Sequence, residues 1–512
     1  MLCLHIAATS LACVAAAPVP ARVFEPIDLA FESAAQPANP FVVRFEGRCE
    51  GPGGEALTLP GFYDGNGTCK LRFAPTRAGE WTVTTASEDP ALDGRTVSIQ
   101  AEVNPASHGR LRVDPRNPRR FAFEDGSPFL LTGYECDWLW ALDLGGAPGL
   151  PTAGPFLDKL AASGFNYVVM NAYAHDTDWR PGKTEDADYG PPALFAWAGT
   201  NDAPDHRRMN LEYWRHYDDI VRAMNARALQ AHIMIKVYNK HVNWPERRSP
   251  EERLYLAWLI ARYSAFLNIV WDFSKESYNE KDLQYKLDTL RFIRETDPYH
   301  HLMTAHDDDG PYDSGAYDSL LDFQSDQQHD HWHETILRQS GRKAWPVLNI
   351  EFGYECGPGG VEDRTYGVAQ VPEEVLARAW RVCMAGGYPN YYYTRTAWDV
   401  IHPEDTPPGY AMMGHLRAFF EAAGFRELAP ADELVSSGYC LAVRGRRYVA
   451  YQSAAQPFEL EADGEGKLTV RWYQCLTGTW QDGGSVEPGK LRLVPPAAWA
   501  GPVAVVVEGE AR

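Results

Sequence analysis

The chain has 512 residues, 45% of them hydrophobic and 23% charged, with a formal net charge of −21. That length suffices for about two to four domains and a large core. The negative balance argues against nucleic acid and anionic membrane surfaces as partners, because a polyanion would be repelled.

The first residues, MLCLHIAATSLACVAAAPVPA, form a short apolar stretch ending in small residues. Residues 1–21 read as a secretory signal with an Ala-x-Ala site near Ala15 to Ala17, although a basic opening is missing and His5 interrupts the run. A secreted or periplasmic protein is therefore expected, and a cytoplasmic one if the signal fails. No later run approaches the ~18 apolar residues of a membrane span. Nine cysteines include no Cys-x-x-Cys spacing; Cys49 and Cys69 could pair across a small β-domain, a point that spacing leaves open.

Residues 22–108 have all-β texture. FVVRFEG (41–47), KLRFAP (70–75) and EWTVTTAS (80–87) are short β-rich runs between turn clusters. Asp64-Gly65 and Asn66-Gly67 supply tight-turn chemistry between two of the strands. A β-sandwich is the expected form.

From 109 to 427 buried-strand runs alternate with helical patterns, the mark of βα units and a parallel sheet. Candidate strands are Pro128 to Thr132, Asn166 to Asn171, Leu229 to Tyr238, Asn268 to Phe273, His301 to His306, Leu321 to Ser325, Val347 to Ile350 and Asn390 to Tyr393. Between them, Leu211, Trp214, Tyr217, Val221 and Met224 mark one helical face, and Leu283, Leu287, Leu290 and Ile293 another. Eight strands with intervening helices predict an α/β fold of (β/α)8, or TIM-barrel, type rather than an open doubly wound sheet. No GxGxxG or GxxxxGK[ST] follows a strand, which removes dinucleotide and P-loop chemistry. From 428 to 512 β-texture returns in YCLAVRG, RYVAYQS, KLTVRWYQ and AVVVEG, so a second β-sandwich is expected.

A TIM barrel carries its chemistry at the C-terminal ends of its strands, and polar or aromatic residues recur at every exit. The first strand leads into Glu135, Asp137 and Trp138, the second into Asn171, Tyr173 and His175, and the third into Tyr238. The fourth runs into Asp272, Lys275 and Glu276, the fifth into His306 and Asp307 to Asp309, and the sixth into Gln324. Glu351 closes the seventh, and Tyr393, Arg395, Trp398 and Asp399 follow the eighth. In phase around one barrel they would line a cleft able to bind hydroxyl groups and stack on sugars; rings of this kind, 16 Trp and 26 Tyr in all, are nevertheless mostly core. Glycoside hydrolysis needs two carboxyl groups facing one glycosidic oxygen, about 5–5.5 Å apart in a retaining enzyme. Glu276 and Glu351, at the ends of strands four and seven, are the candidate pair, and the chemistry calls for no cofactor and no metal.

The spacing from Trp271 to Glu276 resembles the Trp-Glu-x-x-Asn-Glu signature of the large clan of retaining (β/α)8 glycoside hydrolases. The flanks extend the likeness. RLRVDPRNPRRFAFEDGSPFLLTGYECDWLW (110–140) resembles the opening of apiosidase-like barrels, and GFYDGNGTCKLRFAPTRAGEWTVTTASEDPALDG (61–94) the N-terminal β-sandwich of unknown function that precedes such barrels. VRWYQCLTGTW (470–480) resembles their C-terminal β-domain, often labelled collagen-binding. The resemblance implies an acid/base at Glu276, a nucleophile at Glu351, and a polysaccharide or oligosaccharide substrate of plant, algal or microbial origin.

One departure stands beside the acid/base. Where the clan has an asparagine that holds the sugar 2-hydroxyl, this chain has Lys275, and a cation there would oppose a general acid by favouring its ionised form. Either Lys275 turns away or it binds an acidic or differently placed group of the substrate. Of the rival carboxylates, Glu280 after Asn279 reads as a charge at a helix start, Glu355 lies beyond strand seven, and Asp272 within strand four reads as a supporting group. Two alternatives have other chemistry: a carbohydrate-binding barrel without a working acid, and a metal hydrolase using His329, His331 and His333 with Asp307 to Asp309.

Overall fold

The computed structural model describes residues 17–33, 37–146, 148–176, 187–362 and 369–509. The export signal read in the sequence falls largely on residues 1–16, outside the described residues; Val19–Arg22 is already a strand. The chain divides into two compact units, Met1–Ser107 and His108–Arg512.

The first unit is a β-sandwich. One sheet has the order Val19–Arg22, Thr96–Glu102, Gly79–Ser87, Phe45–Glu50 and Ala56–Pro60; the other has Ile27–Glu32, Thr68–Phe73 and Phe62–Gly65. Leu71, Phe73, Trp81, Val83 and Ile99 alternate inward and form the buried core. Asn66 and Gly67 both take positive φ, 51° and 79°, at the hairpin between Phe62–Gly65 and Thr68–Phe73, as a tight primed turn requires. The strand expected from Phe41 begins instead at Phe45, because Pro40 at the first helical position and Asn39 as cap turn Pro40–Val42 into a short 3₁₀ helix. Cys49 and Cys69 are both buried free thiols on strands of different sheets.

The second unit holds the barrel. Among its described residues eight parallel strands alternate with eight helices. These are β1 (Gly133–Glu135), α1 (Ala153–Ala162), β2 (Tyr167–Asn171), α2 (Leu211–Asn225), β3 (Gln230–Val237), α3 (Pro250–Tyr263), β4 (Ile269–Lys275) and α4 (Leu283–Thr296). They continue as β5 (Met303–Thr304), α5 (Asp309–Asp313), β6 (Gln324–Asp326), α6 (Trp332–Arg342), β7 (Val347–Asn349), α7 (Pro372–Met384), β8 (Tyr388–Tyr393) and α8 (Pro408–Ala423). The sheet runs β5-β4-β3-β2-β1-β8-β7-β6, and a parallel bridge from His306 to Ser325 joins its two ends. The fold is thus a (β/α)8 TIM barrel with flanking β-sandwich regions.

The helices begin where local chemistry allows. Asn210 accepts from the Glu212 amide at 3.2 Å, Ser249 from Glu252 at 3.1 Å with Pro250 at the first position, and Asp282 from Tyr285 at 2.9 Å. The expected apolar faces turn inward: Trp214, Tyr217, Val221 and Met224 on α2, and Leu290 and Ile293 on α4, are buried.

The first barrel strand corrects the sequence reading. Pro128–Phe129 belongs to a small antiparallel sheet with Phe121–Phe123 and Leu111–Val113, and the barrel strand is Gly133–Glu135. Phe121 packs against Phe323 and Tyr388, so this sheet seats at the barrel's N-terminal end. An apolar run alone does not distinguish a floor strand from a wall strand. β4 likewise runs two residues further than expected and carries Lys275 into the sheet.

The C-terminal β-region has a sheet ordered Ala429–Pro430, Tyr439–Val443, Arg447–Gln452, Val503–Gly509, Leu468–Gln474 and Thr479–Val486, faced by the pair Phe458–Ala462 and Gly489–Leu493. It docks on α7 and α8 through aromatic contacts. Trp380 stacks on Tyr451 at 5.0 Å, and Phe419 meets Tyr473 and Trp480 at 4.9 and 5.4 Å.

Candidate active site

Side chains from β1, β4, β7 and β8 converge at the C-terminal end of the barrel. Lys275, the last residue of β4, is almost wholly buried, and its ammonium lies 2.7 Å from Glu135, 2.8 Å from Glu351 and 3.2 Å from Asp137. One cation therefore meets three carboxyl groups. Burial opposes its charge, but Asp137, Glu135 and Glu351 outweigh that and hold the lysine firmly protonated.

Glu351 is clamped from both sides. Its Oε1 accepts from Lys275, and its Oε2 accepts from the Tyr354 hydroxyl and, at 3.0 Å, from the Gln327 amide. Burial alone would raise its carboxyl, but Lys275, His306 and the Tyr354 hydrogen bond hold it down at about 2. Glu351 is thus ionised at neutral pH. Glu135 sits deeper; burial pushes it well above the carboxylate range, Lys275 opposes, and Glu351 and Asp137 add to the rise. The Asn390 amide bridges Glu135 Oε2 at 3.0 Å and the Ile350 carbonyl at 2.9 Å, tying the deep acid to the backbone beside Glu351. Tyr392 donates to Asp137.

Glu276 follows Lys275 in the left-handed region, φ 51° and ψ 51°, a conformation that costs a residue with a side chain about 1–3 kcal/mol and recurs at active sites. It is half-buried, and its carboxylate accepts from Asn239 at 2.7 Å and Asn279 at 3.0 Å. The kink sends the neighbouring side chains apart: Lys275 is buried among the acids of β1 and β7, and Glu276 stays half-buried after the strand. Tyr278 and His306 stand near both glutamates. Burial and then the charges of Glu276 and Glu351 push the Tyr278 hydroxyl up, and that hydroxyl donates to Gln327 at 3.3 Å. His306 is pulled down by burial, which Glu351 partly offsets, so its imidazole is neutral at pH 7; both ring nitrogens are buried without a hydrogen-bond partner among the described residues.

Below this layer, Asp272 accepts from His232 at 2.8 Å and from the backbone amides of Ser274 and His306 at 3.0 and 3.1 Å, while His232 pairs with Tyr167 at 2.7 Å. Asp272 therefore fixes the exits of β4 and β5, the supporting part expected of it.

The remaining sequence candidates divide. Trp138, stacked on Trp140 at 5.2 Å, has a buried indole N–H without an acceptor among the described residues, and Asn171 and Tyr173 at the exit of β2 likewise present buried polar atoms without a partner among them. His175 is half-buried nearby and packs in a tilted arrangement, at 5.9 Å, on Phe195. Trp398, at φ 56°, joins Tyr354 and Tyr392 in a buried aromatic cluster beside Glu351. Three candidates turn elsewhere. Tyr238 packs on Phe273 and leans toward Tyr285 of α4. Gln324 donates to Asp309 of α5 at 3.0 Å, and the glutamine that reaches Glu351 is Gln327. Tyr393 donates to Asp405 at 2.8 Å on the outer side, and the inward tyrosine of β8 is Tyr392. Side chains alternate along a strand, so a shift of one residue exchanges the faces.

The rival carboxylates are engaged as well. Glu280 precedes α4 rather than starting it, and it accepts from Arg247 at 2.9 Å and from the Asp282 amide at 2.8 Å. Glu355 accepts from Tyr391 at 2.7 Å and from the Gly409 amide at the start of α8. The histidines and aspartates weighed as metal ligands diverge. His333 pairs with Asp432 at 2.6 Å, His329 with Gln327 at 2.9 Å, and Asp307 with Lys286 and Tyr317.

Several contributors were missed by the sequence reading: Asn239, Tyr278, Asn279, Gln327, Tyr354, Asn390 and Tyr392. Tyr354 follows Glu351 by three and Asn279 follows Glu276 by three, but only the turns after β4 and β7 fold these residues back onto the carboxylates.

Residues 115–442 match the family model described as "Apiosidase-like, catalytic domain". The chain belongs to this apiosidase-like family. Membership makes it a glycosidase, and residues 20–88 match a separate domain of unknown function, DUF5060. Among solved structures, a Bacteroides vulgatus protein assigned to the glycoside hydrolases superposes with TM-score 0.77 at 18% identity, covering 96% of this chain and 99% of its own. A glycoside hydrolase family 5 protein of Bacteroides vulgatus gives TM-score 0.61 at 18% identity over 79% of this chain and 94% of its own. At such identity these two structures speak for the fold of the apiosidase-like chain and not for its substrate. No curated protein is significantly similar.

Proposed function

We propose that this apiosidase-like enzyme hydrolyses glycosidic bonds of a polysaccharide or oligosaccharide with retention of anomeric configuration. Glu351 attacks the anomeric carbon while Glu276 protonates the departing oxygen. Glu276, then ionised, draws a proton from water, and that water releases the sugar from Glu351. The observation that carries this reading is the contrast between the two carboxyl groups. Glu351 is ionised, buried and held by donors on both oxygens, as a nucleophile must be, whereas Glu276 stands half-exposed. Both neighbour Tyr278 and His306, which supports a shared site. Asn171, Tyr173, Trp138 and His306 supply buried polar atoms without partners among the described residues for sugar hydroxyls, and Trp398 with Tyr354 supplies an aromatic wall.

The test is a panel of p-nitrophenyl pentosides and hexosides, with the product anomer followed by proton NMR before it mutarotates. Retention, together with loss of turnover in Glu351→Ala, is the expected outcome. For Glu276→Ala, azide should restore turnover of an activated substrate by replacing the water that Glu276 no longer assists. Inversion, or an active Glu351→Ala enzyme, would refute the assignment.

A further inference from the structure

We propose that Lys275 is a positioning residue of the reaction: its buried ammonium clamps the Glu351 carboxylate in the orientation and charge state in which it attacks. This rests on the reading of Glu351 as nucleophile and adds what keeps it one.

The argument begins with counting. An ammonium has three N–H donors and no acceptor. Lys275 has three carboxyl partners within 3.2 Å, Glu135 and Asp137 from the β1 side and Glu351 from the end of β7. It donates to Glu135 and Glu351 and pairs with Asp137, so its buried charge is committed to the protein's own acids and the lysine does not take the sugar-binding place of the asparagine it replaces. The contact with Glu351 instead completes a three-donor cradle. Tyr354 and Gln327 occupy Oε2 and Lys275 occupies Oε1, so the carboxylate plane is fixed by donors on both oxygens.

Charge leads to the same residue. Glu351 is buried, and a buried carboxylate takes up a proton unless a cation offsets the lost hydration. The titratable groups that face it are Lys275 on β4, Glu135 and Asp137 at β1, Glu276 and Tyr278 after β4, His306 after β5, Tyr354 after β7 and Tyr392 on β8. His306, pulled down by its burial, adds its charge to the hold on Glu351 only at acid pH. Lys275 is thus the standing positive charge of the set. Without it Glu351 would face other acids in a dry site and would be protonated, and a protonated carboxyl does not attack.

Two measurements on the full chain test this. Kinetics would use a 2,4-dinitrophenyl glycoside of whichever sugar the wild type turns over. Its leaving group departs without a proton, so the acidic limb of kcat/KM reports the nucleophile rather than Glu276. Lys275→Met should move that limb up into the range of about pH 5–8, so that kcat/KM falls much more at pH 5 than at pH 8. Lys275→Arg, which keeps the charge, should leave the limb low even if turnover falls. An unshifted limb in Lys275→Met would overturn the proposal, because a purely structural lysine lowers the rate without moving the profile.

The second measurement needs no substrate. Carbon-13 NMR of protein labelled at glutamate Cδ, with the Glu351 signal assigned by its loss in Glu351→Gln, should show no titration from pH 4.5 to 8 in the wild type and a titration inside that window in Lys275→Met. Silence in both proteins would overturn the clamp even if hydrolysis is never seen. An active Glu351→Ala enzyme would instead defeat the nucleophile assignment. If Lys275→Met does not fold, the double variant Lys275→Met/Glu351→Gln decides. Recovery of folded protein supports a duty of the lysine toward that carboxylate, and failure to recover assigns the lysine to the β1 acids and overturns the proposal.

Discussion

Gly133 offers a sharp test of how the floor of the site is built. It faces inward on β1, paired with Asn390 of β8, and a Cβ there would lie 2.2 Å from Asn390 Oδ1, 3.0 Å from its Cγ and 3.2 Å from its Cα. Its φ is not positive, so space and not backbone strain excludes a side chain. In Gly133→Ala the Asn390 amide must swing away and leave both Glu135 and the Ile350 carbonyl. Losing the neutral bond costs about 1 kcal/mol, and losing the bond to the buried acid costs about 2 kcal/mol. Residual overpacking adds about 1 kcal/mol, and the stiffer unfolded chain offsets about 0.4–1 kcal/mol.

The expected net loss from Gly133→Ala is therefore about 3 kcal/mol. It would be read as a lower urea midpoint at unchanged slope in tryptophan fluorescence. The decisive comparison is a double-mutant cycle. Asn390→Ala alone gives up the same two bonds, and in its background the extra methyl finds room. Gly133→Ala/Asn390→Ala should therefore cost little more than Asn390→Ala, a strongly non-additive result. If the two single costs simply add, the collision with Asn390 is not the cause and the account of the floor is wrong.

Three other outcomes are expected. His306→Ala and Asn171→Ala should each lower kcat/KM about 10–100-fold, the worth of one or two hydrogen bonds to substrate, while the unfolding midpoint moves little, since neither side chain gives up a hydrogen-bond partner among the described residues; a large stability loss with normal kinetics would contradict a substrate contact. Glu355, pushed up from 4.5 to about 7 by burial, binds a proton in the fold that the unfolded chain has already released, so stability should fall as pH rises from about 4.5 through 7. Glu355→Gln should flatten that fall by roughly 1–3 kcal/mol, measured by denaturant titration at pH 5 and pH 8; part of the slope should persist because Asp326, also raised to about 7 by burial, titrates in the same window. Finally, Glu351 and Asp137 already pair with the buried Lys275, and Glu276 adds a further carboxylate near His306 and Tyr278, so a glycuronide should be turned over at least ~10-fold more slowly than the neutral glycoside of the same configuration; equal rates would mean that the ammonium is free to meet an acidic sugar.

Much of the architecture is local information. Eight apolar runs, each followed by polar residues and a helical period, predict a barrel because strand length, side-chain period and turn chemistry are properties of a few neighbouring residues. The same reading places Glu276 and Glu351 at strand ends, and Asp272 as a support, because an abrupt change from apolar to charged residues marks an exit. What escaped it depends on pairing. Whether Tyr392 or Tyr393 enters the barrel, and whether Gln324 or Gln327 reaches the cleft, turns on a shift of one or a few residues in register, which the partner strand sets. In sequence the floor strand at Pro128–Phe129 reads as the first wall strand, because both are short apolar runs.

Lys275 shows the division most plainly. In sequence it is the neighbour of Glu276 and reads as a threat to a general acid. In the fold the left-handed kink at Glu276 turns the two side chains to different depths, and the lysine meets acids 140 and 76 residues away in the chain. Composition and spacing determined that a cation and two carboxyl groups stand near one strand end. Only the closed barrel decided which charge faces which, because electrostatic contact follows distance in space and not order along the chain.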